Sequence, residues 1–328
     1  MEVKISIVMP VYNGGKFLGE TLESLFKQSF KQFELICIND KSIDNSLQIL
    51  HYYKDKLNMS IVNNEENIGL VPRIIKDIGL PNCKGNYYLY MSQDDLLSPD
   101  CLENMYLRME SEELDAVIPD LVYYRKDHSS EPQVGLNGDR DKLLSGLDAF
   151  KLSLDWTIPG CALIKTDLLR KVGFEEFNMF ADEFTIRKYY VASNKIGFCN
   201  GTFYYRIDNP EAITKKVKPS LFQKLYKEVR LLELIYSNLE EQVFVQSVDR
   251  LVNMFYADYL TSYNLSFSKD QLELANSYLN NAYKRFVEFI DINKIKYQTN
   301  NLRSTIRYVL LIRFYVLFKI VIRLRSRM

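Results

Sequence analysis

The first 120 residues alternate between short apolar runs and segments in which apolar positions recur three and four residues apart. The runs predict buried parallel strands at 4–10, 33–38, 59–62 and 87–91. The spaced segments predict helices at 17–29, 44–57 and 71–78, and a further helix that opens with Ser98 as its cap and Pro99 in its first turn. This alternation predicts an open, doubly wound α/β sheet.

The rest of the chain divides into a mixed and a helical stretch. Between residues 115 and 214 the pattern predicts strands at 161–164 and 202–206, with a helix at 167–172 capped by Thr166. From Ser220 onward apolar spacing predicts helices, including 242–263, 269–291 and 302–325. We therefore expect an α/β domain over 1–215, followed by a helical region over 216–328.

Charge is balanced in total but unevenly distributed. Nine of the 42 basic residues and none of the 42 acidic residues lie in 292–328, so residues 1–291 hold 33 basic and 42 acidic residues, a net charge of −9. The acidic body argues against nucleic-acid binding. The basic, apolar segment 301–328 is expected as an interfacial helix on an anionic membrane surface; a helix packed on the protein and an oligomer contact are the alternatives.

Cysteine and histidine usage excludes several kinds of site. No pair of the five scattered cysteines has metal or redox spacing, and Cys37 and Cys161, which fall in apolar runs, are expected to be buried. Two histidines, His51 and His128, argue against a histidine-based triad or a multi-histidine metal site. Scattered thiols and the lack of a signal-peptide pattern predict a cytoplasmic location.

In doubly wound sheets, ligands bind beyond the carboxyl ends of the strands. After the first predicted strand, residues 10–15 read Pro-Val-Tyr-Asn-Gly-Gly, and Tyr12 is a candidate for stacking on a base. A plain strand-to-helix turn is the alternative. After the second strand, Asp40 is placed to accept a hydrogen bond from an imide N–H such as that of uracil. A helix-capping cluster is the alternative there, and it fits Ser42 and Asp44.

The fourth predicted strand is followed by Ser-Gln-Asp-Asp at 92–95. Two adjacent carboxylates are costly unless they are solvated or bound to a metal. Mg²⁺ and Mn²⁺ take carboxylate oxygens together with substrate phosphates. The pattern predicts a divalent-cation site at Asp94 and Asp95, with a solvated acidic turn as the alternative.

Five segments, in this order and spacing, resemble family two glycosyltransferases with the GT-A fold. They are SIVMPVYN at 6–13, ETLESLFKQ at 20–28, FELICINDKSIDNS at 33–46, ENIGL at 66–70 and KGNYYLYMSQDDLLSPD at 84–100. The resemblance implies a GT-A doubly wound mixed sheet, with a nucleotide-binding half at 1–100 and an acceptor half at 101–215. It also implies nucleotide contacts at Pro10, Tyr12, Asp40, Asn67, Gly69, Ser92 and Gln93.

The same resemblance assigns the metal and the catalytic base. Asp94 matches the last acid of an Asp-x-Asp motif, Asp95 follows it, and Ser92 replaces the first acid. Asp182 and Glu183 match an acidic pair that supplies the base; Asp182 is favoured, and an ordinary acidic helix start is the alternative.

Two further regions fall in the acceptor half. Arg206 and the loop from Asn209 to Thr214 resemble a segment that closes over the diphosphate. Trp156 is either a platform for a sugar ring or a residue that packs in the core or on the surface.

The resemblance implies a metal-dependent, inverting enzyme that uses Mn²⁺ or Mg²⁺ and a nucleotide sugar, with a UDP-sugar as the expected donor. The acceptor is expected to be a hydroxyl of a glycan or lipid-linked saccharide in bacterial surface polysaccharide or capsule synthesis. The enzyme is expected in the cytoplasm, peripheral on the inner membrane face, with a homo-oligomer as an open alternative. A catalytically degenerate nucleotide-sugar-binding scaffold is the competing hypothesis. A nucleotidyltransferase is disfavoured because the loop at 10–15 lacks arginine.

Overall fold

A computed structural model describes residues 2–127, 129–212, 217–295, 297 and 302–326. The chain divides into two compact units, the first formed by Met1–Phe177 and Ala181–Pro210 and the second by Asn178–Phe180 and Glu211–Met328. The predicted boundary between residues 215 and 216 falls within 213–216, outside the described residues, and stays a prediction.

The first unit is built on one mixed sheet of eight strands. These are β1 (Ile5–Val11), β2 (Phe33–Asn39), β3 (Met59–Asn63), β4 (Tyr87–Tyr90), β5 (Leu96–Leu97), β6 (Ala116–Tyr124), β7 (Leu163–Lys165) and β8 (Ile196–Arg206). Their order across the sheet is β3-β2-β1-β4-β7-β6-β8-β5. The first four in this order are parallel; β7 runs antiparallel to β4 and β6, β8 is parallel to β6, and β5 is antiparallel to β8. The predicted mixed α/β sheet is confirmed.

Helices cover the sheet of the first unit. They are α1 (Leu18–Phe26), α2 (Ser46–Lys54), α3 (Val71–Ile74), α4 (Cys101–Glu112), α5 (Gly146–Ser153), α6 (Thr166–Val172) and α7 (Ala181–Ala192), and α3 continues through a π-helical turn at Ile75–Gly79. Every residue of β1 and β2 is buried, as expected for parallel strands covered on both faces. The π-helical turn approaches β1 closely, since a Cβ at Gly79 would lie 2.5 Å from Cγ1 of Val8.

Two predicted helix caps are wrong, because each hydroxyl has another partner. Thr166 is the first residue of α6, and its Oγ1 donates a hydrogen bond to the carbonyl of Gly85 at 2.8 Å. The helix predicted to open at Ser98 begins at Cys101. The Ser98 hydroxyl accepts from the backbone N–H of Thr202 at 2.9 Å, which joins the start of this helix to β8.

The second unit is helical, as the apolar spacing predicts. It contains a 3₁₀ turn (Pro219–Gln223) and the helices α8 (Lys224–Asn238), α9 (Glu241–Asn264), α10 (Lys269–Ile292), α11 (Leu302–Arg313) and α12 (Tyr315–Arg325). Helix α10 starts with a capping box between Ser268 and Gln271. The continuous helix predicted over 302–325 is wrong, since Phe314 has φ −132° and separates α11 from α12.

None of the helices in the described parts of the chain combines the length and the apolar character needed to cross a membrane.

Candidate functional site

The loops that follow β1, β2 and β4 meet at one edge of the sheet, because β1 lies between β2 and β4. The backbone N–H of Asp40 donates to the carbonyl of Val11 at 2.8 Å, which brings the first two strand ends together. The Gln93 side chain accepts from the Tyr12 N–H at 2.9 Å and donates to the Tyr12 carbonyl at 3.0 Å. Tyr12, Asp40 and Gln93, which are far apart in sequence, are therefore neighbours.

The loop after β1 is held by the loop after β2. The Ser42 hydroxyl accepts from the Asn13 N–H at 3.0 Å, and the Asp44 carboxylate accepts from the Gly15 N–H at 2.9 Å. Neither residue makes the N-cap of α2, which begins after Asn45. These bonds leave the Tyr12 ring 48% exposed above a fixed backbone. Pro10 lies within β1 and is buried.

Asp40 organises the segment after β3. Its carboxylate, which is 2% exposed, accepts hydrogen bonds from Asn64 Nδ2 and from the backbone N–H groups of Ile68 and Gly69, each at 2.8 Å. Asn67 Nδ2 donates to the Asp40 carbonyl at 2.9 Å. Gly69 has φ +65°, a conformation that favours glycine. Within the described residues the Asp40 side chain thus accepts three hydrogen bonds, and a carboxylate can accept about four.

The acidic turn after β4 holds two carboxyl groups in different environments. Asp94 is partly exposed, and its Oδ2 accepts from Asn209 Nδ2 at 2.7 Å. Asp95 is 3% exposed, and its Oδ1 accepts from the backbone N–H of Arg206 at 3.0 Å. Burial, followed by the charge of Asp94, raises the pKa of Asp95 to about 8, so that this carboxyl is largely protonated at neutral pH. The Ser92 hydroxyl lies 3.3 Å from that of Tyr90.

Arg206 lies beneath this turn. Its side chain is 1% exposed, and Nε donates to the Asp94 carbonyl at 2.8 Å. The guanidinium pairs with Glu20 of α1 and with Asp208, and it stacks over the Phe17 ring at 4.5 Å. The contacts of Arg206 therefore position the acidic turn, and its predicted contact with a diphosphate stays a prediction. Thr214, predicted on the closing loop, lies outside the described residues.

The donor set at this turn fits a hard divalent cation completed by a substrate. Among the described residues, no three His, Cys, Asp or Glu side chains cluster as a ready-made ligand set. Mg²⁺ is often held by one or two carboxylates, with phosphate oxygens and water supplying the other ligands. Asp94 suits this arrangement, because its Oδ1 has no protein donor within the part of the chain described. Asp95 suits it less well, because it is 3% exposed and its Oδ1 accepts from the backbone N–H of Arg206.

Asp182 and Glu183 lie in the first turn of α7. Burial, followed by the charges of Asp95, Asp94, Asp182 and Glu183, raises the pKa of Tyr205 to about 12. Burial, followed by the charge of Asp182, also raises the pKa of Tyr90. The charges of Asp94, Asp95 and Asp182 thus act on both tyrosines, and whether the two acidic pairs work together stays a prediction. Tyr90 is not among the residues expected at this turn; it is the last residue of β4, and its hydroxyl lies 3.3 Å from that of Ser92.

The two acids of α7 differ in their surroundings. A Glu183 carboxylate oxygen lies 3.8 Å from Nη1 of Arg187, which is 2% exposed. The Arg187 guanidinium lies 4.6 Å from the ring centroid of Trp156, which is 49% exposed and has φ +65°. Trp156 is therefore a surface aromatic stacked on α7, which excludes the core position among its alternatives.

Comparisons with known proteins place this chain in a family. Residues 6–173 match the family described as glycosyl transferase family 2. The glycosyltransferase GlyG of Streptococcus pneumoniae serotype 4 is 30% identical over 215 residues, which are 62% of this chain and 70% of GlyG. The poly(ribitol-phosphate) beta-N-acetylglucosaminyltransferase TarS of Staphylococcus aureus strain MW2 is 25% identical over 254 residues, 73% of this chain.

The match to TarS covers 42% of that protein, so this chain corresponds to less than half of it. The crystal structure of S. aureus TarS 1–349 in complex with UDP-GlcNAc superposes with a TM-score of 0.69 and 20% identity. The superposition covers 98% of this chain and 89% of that one. At this identity the likeness establishes the fold.

Proposed function

The chain belongs to glycosyl transferase family 2 and has the GT-A fold, and from this premise we propose that it transfers a sugar from a UDP-sugar to an acceptor hydroxyl. The observation that carries the proposal is the convergence of Tyr12, Asp40 and Asp94 at the carboxyl ends of neighbouring strands. We propose a glycan or lipid-linked saccharide of a bacterial surface polysaccharide as the acceptor. The name of the relative TarS, a poly(ribitol-phosphate) beta-N-acetylglucosaminyltransferase, supports a polymeric acceptor of this kind.

The capacity of Asp40 to accept further hydrogen bonds favours uracil as the base. Three of its acceptor positions are filled by Asn64, Ile68 and Gly69, which leaves about one. Uracil offers a single imide N–H, whereas guanine offers two adjacent donors on its Watson–Crick edge. The Tyr12 ring, fixed through its backbone by Gln93, supplies a stacking surface for the base.

Asp94 would hold a Mn²⁺ or Mg²⁺ ion, and Asn209 orients its carboxylate. When bound, such an ion stabilises the departing diphosphate. Arg206 keeps the turn in place from below, through its bonds to the Asp94 carbonyl and to Glu20.

Asp182 is the proposed base, with Glu183, whose carboxylate lies 3.8 Å from Nη1 of Arg187, as the second candidate. The base takes the proton from the acceptor hydroxyl as its oxygen bonds to the anomeric carbon. The bond from that carbon to the diphosphate breaks on the opposite face. The configuration is therefore inverted in one displacement through an oxocarbenium-like transition state.

The decisive experiment is a donor screen that measures nucleotide release from UDP- and GDP-sugars, with and without Mn²⁺. We expect a UDP-sugar to be used, and Asp94→Asn to reduce transfer at least about a hundredfold, as removal of one electrostatic contributor does elsewhere. Asp182→Asn should abolish transfer while keeping UDP binding. Asp167→Asn, at a side chain that is 93% exposed, is the matched control.

Three outcomes would contradict parts of this proposal. Full transfer by Asp94→Asn would contradict the proposed cation site at Asp94. A preference for GDP-sugars would contradict the proposed recognition of uracil by Asp40. UDP binding without turnover of any donor would favour the degenerate scaffold over the enzyme.

A further inference from the structure

Helices α11 and α12 in the second unit have two apolar faces each, and one face is exposed. The buried face includes Leu311, Phe318 and Ile322. Phe318 lies against Tyr256 and Tyr259 of α9, at ring-centroid distances of 6.4 and 5.9 Å. Nine large apolar side chains stay exposed on these two helices and the residue between them: Leu302, Ile306, Val309, Phe314, Val316, Leu317, Ile320, Val321 and Leu324.

On α12 the exposed residues form a single face. Successive residues of a helix are rotated by about 100°, so Val316, Leu317, Ile320, Val321 and Leu324 fall within an arc of roughly 140°. That arc lies opposite the buried Phe318 and Ile322. Their exposed fractions run from 40% for Val321 to 71% for Val316. The side that faces away from α9 is therefore apolar along the whole helix.

The exposed faces of α11 and α12 are continuous with each other. A wholly apolar groove joins them, lined by Thr305, Ile306, Val309, Leu310, Phe314 and Leu317. We call the nine exposed apolar residues, together with this groove, the outer face. An exposed apolar surface built from nine large side chains on a folded unit indicates an interaction site.

Every charged residue within α11 and α12 is basic. Arg303, Arg313 and Arg323 are exposed, and no acidic residue occurs in 292–328. Arg325 donates to the Tyr256 hydroxyl at 2.8 Å, which holds its guanidinium at the border of α12 and α9. Basic side chains at the edge of an apolar helix face suit anionic lipid headgroups, because their aliphatic stems stay in the apolar layer while the charges reach the headgroups.

We propose that the outer face binds the surface of a lipid bilayer that contains anionic headgroups, with α12 parallel to the membrane plane. The 11 residues of α12 make a helix about 16 Å long, roughly half the thickness of the hydrocarbon layer. A second copy of this chain is a poorer occupant. Pairing two outer faces would bring two sets of arginines together without any acidic partner from 302–326.

The proposal is tested by co-sedimentation of the full chain with vesicles of phosphatidylcholine, with and without about one third phosphatidylglycerol. We expect binding to the anionic vesicles, with at least a tenfold weaker association for phosphatidylcholine alone and a decrease at high salt. The double substitution Val316→Glu with Ile320→Glu should reduce binding at least tenfold. It should leave the unfolding temperature unchanged, because both side chains are exposed.

Leu274→Glu is the control for a glutamate added to an exposed apolar position, since this residue of α10 is 46% exposed and lies outside the outer face. Equal vesicle binding by the double variant and the control would overturn the proposal. The proposal would also be overturned if the wild-type chain bound neither kind of vesicle but formed a dimer, and the double variant did not. The outer face would then bind a second copy of the chain. Nucleotide release in solution, measured for the same variants, keeps this result separate from the proposed glycosyl transfer.

Discussion

At the scale of single residues, several side chains expected to touch the nucleotide also hold the site together. Gln93 clamps both backbone groups of Tyr12, and Asp40 collects three donors from the segment after β3. Both roles are compatible with ligand contact. The sequence around Gln93 and Asp40 does not predict these hydrogen bonds, because the bonded residues lie 24 to 81 positions apart.

The clamp on Tyr12 leads to a prediction for Gln93→Ala. The substitution removes two hydrogen bonds, each worth about 1 kcal/mol, and releases the loop that carries the Tyr12 ring. We expect UDP binding, measured by calorimetry, to weaken about tenfold, with a loss of stability of about 2 kcal/mol. Gln48→Ala on the exposed side of α2 is the control. An unchanged affinity for UDP would show that Tyr12 does not depend on this clamp.

At the scale of elements, close backbone packing fixes the position of helix α5 against helix α7. The local sequence pattern of either helix does not predict this contact. Gly146 is the first residue of α5, and a Cβ there would lie 2.1 Å from the carbonyl oxygen of Ser193 and 2.2 Å from that of Tyr190. Both atoms belong to the backbone at the end of α7 and just beyond it. The site acids Asp182 and Glu183 begin this helix, so the contact between α5 and α7 also helps to place them.

Two glycine substitutions should therefore have opposite effects on stability. Gly146→Ala forces backbone apart, and we expect it to lower the free energy of unfolding by about 3 kcal/mol. Gly19→Ala in α1 meets no atom within 4 Å and should raise it by about 0.5–1 kcal/mol through helix propensity. Urea unfolding of both variants measures the two changes in the free energy of unfolding. A tolerated alanine at 146 would mean that α5 and α7 are not in tight contact.

At the scale of the whole molecule, burial governs the chemistry of the thiols. Cys37, Cys83, Cys101 and Cys199 are buried and reduced, as the scattered spacing indicates. Cys161 is partly exposed, so its predicted burial is wrong in part. Burial raises the pKa of Cys83 to about 12, and burial followed by the charge of Asp95 raises that of Cys161 to about 12.

We therefore expect the native protein to resist thiol reagents. At about pH 7.5, fewer than one thiol per chain should react with a chromogenic disulfide within minutes, because the thiolate is the nucleophile. All five should react after unfolding in guanidinium chloride. Cys161→Ser should remove most of the slow native reaction. Rapid native labelling of several thiols would contradict the tight packing of the sheet.

The sequence by itself determined the parallel strands β1 to β4 and the residues that follow three of them. Each of these strands is a short apolar run of consecutive residues. Such a run is typical of a parallel strand that is buried on both faces of a sheet. It also determined that the turn at Asp94 is acidic and that the region after Ser220 is helical.

Only the tertiary structure decided how the two acids of that turn differ. The backbone of Arg206, 111 residues further on, lies against Asp95 and buries it, whereas Asp94 stays partly exposed. Contacts between residues far apart in sequence also decide the order of β5 to β8, the break at Phe314 and the exposure of the outer face. Local pattern specifies which side chains are apolar, but burial, protonation and pairing depend on neighbours that folding brings from elsewhere in the chain.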